Sequence, residues 1–340
     1  MGVLTGPLPL IPPKNQPSGT PDLRVVALGG GHGLSASLSA LRLLTSELTA
    51  VVTVADDGGS SGRLRDEFNV LPPGDLRMAL SALCDDTEWG RTWRDVMQHR
   101  FQSVQGKESL LDQHAMGNLL IVTLWELLGD TVGGLKWAGA LLGARGQVLP
   151  MASVPLTIQG TSRSLQEDGT EWIQQIEGQA VLATAGNVED VRLLPEGAPA
   201  CVEALEAIEL SDWVILGPGS WYTSVLPHLL LPELRQALCT SPARRCLAMN
   251  LDVNDKEVRG MSAADHLRVI SRYAPEFGVD IVLADPTSIG STQEARAEFE
   301  QAAAALGAEV VLSRVRVSNR QSVHDPLRLA AAFHDVFGGG

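Results

Sequence analysis

Val25-Val26-Ala27-Leu28-Gly29-Gly30-Gly31-His32-Gly33-Leu34-Ser35 is followed in the chain by Val51-Val52-Thr53-Val54-Ala55-Asp56-Asp57-Gly58-Gly59-Ser60-Ser61-Gly62-Arg63. An apolar, β-branched run enters a glycine turn, a helix follows, and a second apolar strand ends on two aspartates and a Gly/Ser loop. This is how an α/β protein builds a nucleotide site. Backbone N–H groups at a helix start receive phosphates, and an acid at the next strand end receives sugar hydroxyls.

Working outward, Arg24 to Leu28 reads as the first strand. Leu34, Leu38, Leu41 and Leu44 share one helical face, and Thr49 to Ala55 reads as the second strand. Asp56 to Gly74 reads as one long Gly/Ser/Pro loop, with Asp75 capping a helix over Leu76 to Leu83. Helical patterns run from Thr87 to about Gly143, so the part from about 75 to 145 is helix-rich. Leu149–Gly160 and Ile173–Thr184 read as strands about an Asp168-Gly169 turn. Ala200–Ile208, Ala263–Tyr273 and Glu294–Leu306 read as helices, and Trp213–Leu216, Arg245–Leu251, Asp280–Ala284 and Glu309–Leu312 as strands. Asp325-Pro326 opens the last helix as N-cap and first residue. Strands alternating with helices imply an α/β fold, a mostly parallel sheet with helices on both faces and a helical insertion.

The 340 residues are 44% apolar, enough for a full core without disulfides or structural metal. Cys84, Cys201, Cys239 and Cys246 show no CxxC pair and read as thiols of a reducing compartment. A net charge of −14 argues against a nucleic-acid partner. No run of ~18 apolar residues predicts a membrane span. Residues 1–22 are proline-rich without a signal-peptide pattern and read as a disordered tail before a single domain over 23–340; the expected location is cytoplasmic.

Gly31-His32-Gly33-Leu34-Ser35-Ala36 fits G-x-G-x-x-A, a tolerated form of the dinucleotide fingerprint. The bland alternative is a structural βα turn. Asp56 and Asp57 repel each other and a diphosphate, which is tolerable if one holds Mg²⁺ or faces sugar hydroxyls; Asp56 is the metal candidate. The alternative there is a solvated acidic loop. Arg63, Arg65 and Arg77 are the available cations. Gly217-Pro218-Gly219-Ser220 lacks the order of a nucleophile elbow and reads as a second backbone cradle. Charge-assisted hydrogen bonds contribute roughly 1.5–3 kcal/mol each, so three or four hold a diphosphate in a chain of only four lysines. His32 and His114 are the only candidate bases, and a lone histidine is more often structural. Asn118 starts an apolar helix that faces the same cleft.

These blocks together resemble the YvcK-type gluconeogenesis factors. Gly29-Gly30-Gly31-His32-Gly33-Leu34, Val52 through Leu64, Pro72-Pro73-Gly74-Asp75-Leu76-Arg77, Gly117-Asn118-Leu119-Leu120, Leu216-Gly217-Pro218-Gly219-Ser220 and His324-Asp325-Pro326 occur in that family's order. The resemblance runs from about residue 24 to the C-terminus and is strongest to the actinobacterial branch. It implies a Rossmann-like core shared with 2-phospho-L-lactate transferase, a homodimer, and a cytoplasmic regulator binding UDP-N-acetylglucosamine. Such regulators link gluconeogenic growth to peptidoglycan precursor synthesis and cell shape, through a regulatory protein partner. Combined with the motifs above, the expected ligand-binding residues are Gly30, Gly31, His32, Gly33, Leu34, Thr53, Asp56, Asp57, Gly59, Ser60, Ser61, Arg63, Asp75, Arg77, Asn118, Gly217, Pro218, Gly219, Ser220 and Asn250. One segment departs from the pattern: an aromatic residue able to stack on uracil is replaced by Met261, which bears on base recognition.

Three functions follow as expectations. The first is a non-catalytic sensor of a UDP-sugar that requires no cofactor. The second is a transferase on a diphosphate-linked donor with Mg²⁺, as in coenzyme F420 synthesis. The third is an NAD-binding oxidoreductase, which lacks a convincing acid–base residue.

Overall fold

The computed structural model describes residues 22–107, 109–165, 171–185, 188–251, 260–318 and 322–338. The tail expected over 1–22 (Asp22 aside), the Asp168-Gly169 turn, most of the divergent segment before Met261, and Gly339 and Gly340 lie outside the described residues.

β1 (Val25–Gly29), α1 (Gly31–Leu41) and β2 (Leu48–Val52) form the first unit. The helical insertion follows as α2 (Gly59–Phe68), α3 (Pro73–Leu83), α4 (Glu88–Gln98), α5 (Met116–Leu128) and α6 (Thr131–Leu142), and the chain returns to the sheet as β3 (Gln147–Pro150). β4 (Thr157–Leu165), β5 (Glu171–Glu177), α7 (Gln179–Ala185) and β6 (Val188–Leu194) make a small arm. The second half runs α8 (Val202–Glu209), β7 (Trp213–Leu216), a π-helical turn (Trp221–Val225), α9 (Pro227–Leu230), α10 (Pro232–Thr240), β8 (Arg244–Ala248) and α11 (Ala263–Tyr273). It ends with β9 (Ile281–Ala284), α12 (Gln293–Ala305), β10 (Glu309–Leu312) and α13 (Pro326–Gly338).

The main sheet has the order β10-β9-β8-β7-β1-β2-β3, and among the described residues all its pairings are parallel. Every residue of β1, β2, β7 and β9 is buried. Successive strand residues point to opposite faces, so total burial requires helices on both faces. From β1 the chain winds one way through β2 to β3; from β7 it winds the other way. The topological switch point therefore lies between β1 and β7, whose glycine turns emerge side by side at the strand C-termini.

Several elements differ from the sequence reading. Asp56–Gly74 is not one loop, because α2 lies within it. Arg63 to Phe68 suit a helix, Asn69 closes it in the left-handed region (φ +52°), and Pro73 starts α3 at its first position. Asp75 is therefore inside the first turn of α3, not its cap. Pro155 separates β3 from β4 within the stretch read as one strand. The second half of Ile173–Thr184 is α7, because Gly178 (φ +96°) ends β5. The last helix follows expectation: Asp325 Oδ1 accepts the N–H groups of Leu327 and Arg328 at 3.0 and 3.1 Å. Cys84, Cys201 and Cys246 are buried free thiols; Cys239 is half-buried.

Candidate functional site

The first glycine turn is shaped by close approach. Gly30 is the N-cap of α1, and a Cβ there would lie 2.4 Å from Thr53 Oγ1 and 2.6 Å from Asp75 Oδ2. A Cβ on Gly33 would lie 2.2 Å from the Pro218 carbonyl oxygen and 2.7 Å from Gly219 Cα. The two glycine turns thus touch backbone to backbone, and only hydrogen side chains allow it. Gly31 carries φ +55° and donates its N–H to Asp75. His32 is exposed on the first turn of α1, while the Leu34 side chain is core and leaves only its backbone to the cleft.

Asp56 and Asp75 form the acidic wall. Thr53 Oγ1 donates to Asp75 Oδ2 at 3.1 Å. Burial, and then the charge of Asp56, push the Asp75 carboxyl up to about 6. Asp56 accepts the Gly58 N–H at 3.0 Å and the Ser61 hydroxyl; burial raises its pKa, and Asp57 adds to the effect. Ser61 Oγ in turn accepts the Gly74 N–H at 2.9 Å, joining α2 to α3. Asp56 and Asp75 are of the donor type that Mg²⁺ takes, one or two carboxylates with further oxygens completing the shell. Among the described residues no group of three or more His, Cys, Asp or Glu is placed to hold a metal. Asp57 faces elsewhere: its Oδ1 accepts the Ala180 N–H at 2.9 Å and tethers the start of α7.

Arg77 is the cation of the site. Its side chain is buried, and no ion pair joins it to a carboxylate among the described residues. Nε donates to Asn118 Oδ1 at 2.9 Å and Nη1 to Gln98. Burial, followed by the nearby Arg100, lowers its pKa to about 10 against the opposing pull of the Asp75 and Asp56 charges, so it remains charged at neutral pH. Arg63 donates to the Asp112 carbonyl on the exposed rim. Arg65 is turned away, onto Leu156 O and Thr157 Oγ1 at 2.8 and 2.7 Å. Gly59 opens α2, and Ser60 is buried between α2 and α5 beside Asn118.

The second turn is clamped by one side chain. Asn250 Oδ1 accepts the Gly219 N–H, and Nδ2 donates to the Gly219 carbonyl, both at 2.7 Å. Asn250, expected to meet the ligand, therefore holds the turn formed by Gly217, Pro218, Gly219 and Ser220. Ser220 Oγ is hydrogen-bonded to Thr223 Oγ1. Replacing Asn250 by Ala leaves both polar groups of Gly219 without this partner. A loss of about 1–3 kcal/mol is expected, measurable by urea denaturation; an unchanged midpoint contradicts the clamp. Sequence reasoning did not find Gln98 or Ser224, whose Oγ lies 3.3 Å from a Cβ placed on Gly30. Neither carries a motif signal. Met261 is half-buried, with its Sδ 3.9 Å from Tyr222 Oη.

The family model for 2-phospho-L-lactate transferase CofD matches residues 25–322. The chain is 47% identical over 313 residues to a putative gluconeogenesis factor of Mycobacterium tuberculosis (strain CDC 1551 / Oshkosh), covering 92% of this chain and 90% of the relative. It is 31% identical over 324 residues to the gluconeogenesis factor of Bacillus subtilis (strain 168), covering 92% and 98%. A crystal structure of a UPF0052-family member from Bacillus halodurans matches with a TM-score of 0.78 at 32% identity, covering 93% of this chain and all of that one.

Proposed function

The chain belongs to the CofD family, in the branch that carries the gluconeogenesis factors, and we propose that it is a non-catalytic sensor of UDP-N-acetylglucosamine. One observation carries the anion half of this reading: Arg77 is a buried guanidinium with no carboxylate at ion-pair distance among the described residues, the charges of Asp75 and Asp56 acting on it only from farther off. A buried cation is costly unless an anion compensates it. The start of α1 adds backbone N–H groups and the positive end of a helix dipole. The diphosphate belongs over the start of α1 and beside Arg77; the second turn closes the cleft, its Gly217 and Gly219 N–H groups being already bonded to the Leu28 carbonyl and Asn250 Oδ1. The sugar half is supported by the gluconeogenesis-factor resemblance, as are the homodimer, the protein partner and the link to peptidoglycan precursor synthesis and cell shape. Asp56, with Asp75, would hold Mg²⁺ if the ligand brings it; the ion would neutralise diphosphate charge there.

Isothermal titration of the purified chain tests this, with UDP-N-acetylglucosamine, UDP and NAD, each with and without Mg²⁺. Micromolar binding that requires the sugar is expected, with no turnover. Absence of binding, or turnover of the UDP-sugar by pure protein, overturns the sensor.

A second reading, a transferase on a diphosphate-linked donor, is favoured by the Asp56–Asp75 pair and the family model. It requires Mg²⁺-dependent product from an activated phospholactate donor and a deazaflavin acceptor; no product removes it. Binding of NAD would instead favour the oxidoreductase. Among the described residues no helix is long and apolar enough to cross a membrane.

A further inference from the structure

Ser60 sits where three groups converge. Its Oγ accepts the Ala115 N–H at 3.2 Å and Asn118 Nδ2 at 3.0 Å. A hydroxyl has two lone pairs and one proton. With both lone pairs engaged, the proton goes to the third neighbour, His114 Nδ1, at 3.1 Å. Nδ1 is then unprotonated, and the neutral imidazole carries its proton on Nε2. Burial, then the charge of Arg63, hold the His114 pKa below the usual histidine value; Arg100 acts with them and Glu67 against them.

The orientation passes along the chain of bonds. Because Asn118 gives its NH₂ group to Ser60, its Oδ1 faces the opposite way and accepts Arg77 Nε. A flipped amide would set NH₂ against N–H, donor against donor. Gln98 holds Nη1. The guanidinium is thereby fixed on two sides, and Nη2 makes no hydrogen bond with the described residues. A fork presented in fixed orientation is what bidentate recognition of phosphate needs.

We propose that Ser60 and His114 are positioning residues for the anion site: through Asn118 they set the orientation in which Arg77 meets a diphosphate. The inference rests on the nucleotide reading of the cleft. It adds a hydroxyl and an imidazole that act on the binding cation through Asn118, and it gives Ser60, expected at the ligand, a positioning role instead.

The test uses the full chain, with UDP as probe. ¹⁵N NMR of the unaltered protein at pH 7.5 is expected to show His114 protonated at Nε2 and bare at Nδ1. His114→Phe fills the space but cannot accept the Ser60 proton, and is expected to weaken UDP binding at least about tenfold. His114→Asn offers Oδ1 as the replacement acceptor and is expected to remain within about threefold of the unaltered chain. A proton on Nδ1, or equal affinities for the Phe and Asn variants, overturns the proposal. The NMR result decides the relay even if His114→Phe does not fold. Failure of the unaltered chain to bind UDP overturns the nucleotide reading and with it the role given to Arg77, whereas the tautomer reports the hydrogen-bond chain alone.

Discussion

Gly33→Ala is expected to abolish ligand binding and to destabilise the chain by about 3 kcal/mol. The new methyl would meet the Pro218 carbonyl oxygen at 2.2 Å, its carbon at 2.6 Å and Gly219 Cα at 2.7 Å. All three are main-chain atoms, so no flexible side chain can swing away. Relief requires the turn after β1 to part from the turn after β7. Those turns are the two walls of the proposed diphosphate cradle, so the strain falls on the site as well as on the fold. Gly59→Ala is the informative control. Nothing lies within 4 Å of a Cβ there, but φ is +51°. Only the left-handed conformation is penalised, by roughly 1–2 kcal/mol. Urea midpoints and calorimetric titration of both variants check the contrast; equal effects contradict the contact argument.

Asp75→Asn is expected to gain stability relative to the unaltered chain as pH rises from about 4 to about 7. The folded carboxyl titrates at about 6, against 3.8 for an unperturbed aspartate. Between those values the folded chain binds the proton more tightly than the unfolded chain. Stability from this group is therefore fully present below about 4, falls as pH rises through about 6, and stays lost above it. About two pKa units correspond to roughly 3 kcal/mol. Asparagine is neutral throughout and escapes the loss, while its oxygen still accepts from Thr53. Any hydrogen-bond cost of the substitution is constant with pH and cancels from the slope. Denaturation at a series of pH values reads the difference directly; a pH-independent difference overturns the assignment. Because Asp56 contributes to the raised pKa, Mg²⁺ bound between the two carboxylates would stabilise the unaltered chain more than the variant.

The sheet was readable because its strands are short, apolar and bounded by glycine or proline. β1, β7, β9 and β10 fall within a residue of expectation, and α11 spans the expected Ala263–Tyr273. α2 was hidden because Gly58-Gly59-Ser60-Ser61-Gly62 has loop composition. Its start is fixed by contacts that lie far away in sequence, from Ser60 to Ala115 and from Ser61 to Gly74. The same distance obscured the side-chain duties within the site. The motifs brought Gly30, Gly33, Asp56, Asp75, Arg77 and Asn118 forward as a group. Spacing alone does not say that Asp57 holds α7, that Asn250 holds Gly219, or that Arg65 anchors the start of β4. Each of those duties is a hydrogen bond between residues 31 to 123 positions apart in the chain.

The parallel pairing of Leu28 with Leu216 places the two cradle turns on neighbouring strands that belong to different halves of the chain. Neither half of the polypeptide contains the cradle by itself. A molecule seated there is bound to the assembled sheet, and the sheet must come apart before the molecule loses its seat. Occupancy therefore acts on global opening rather than on local fraying: at a hundredfold excess over Kd it adds about 2.7 kcal/mol. Protease resistance is expected to rise together in segments far from the cleft, so that the abundance of the protein in a cell would itself follow the supply of its ligand.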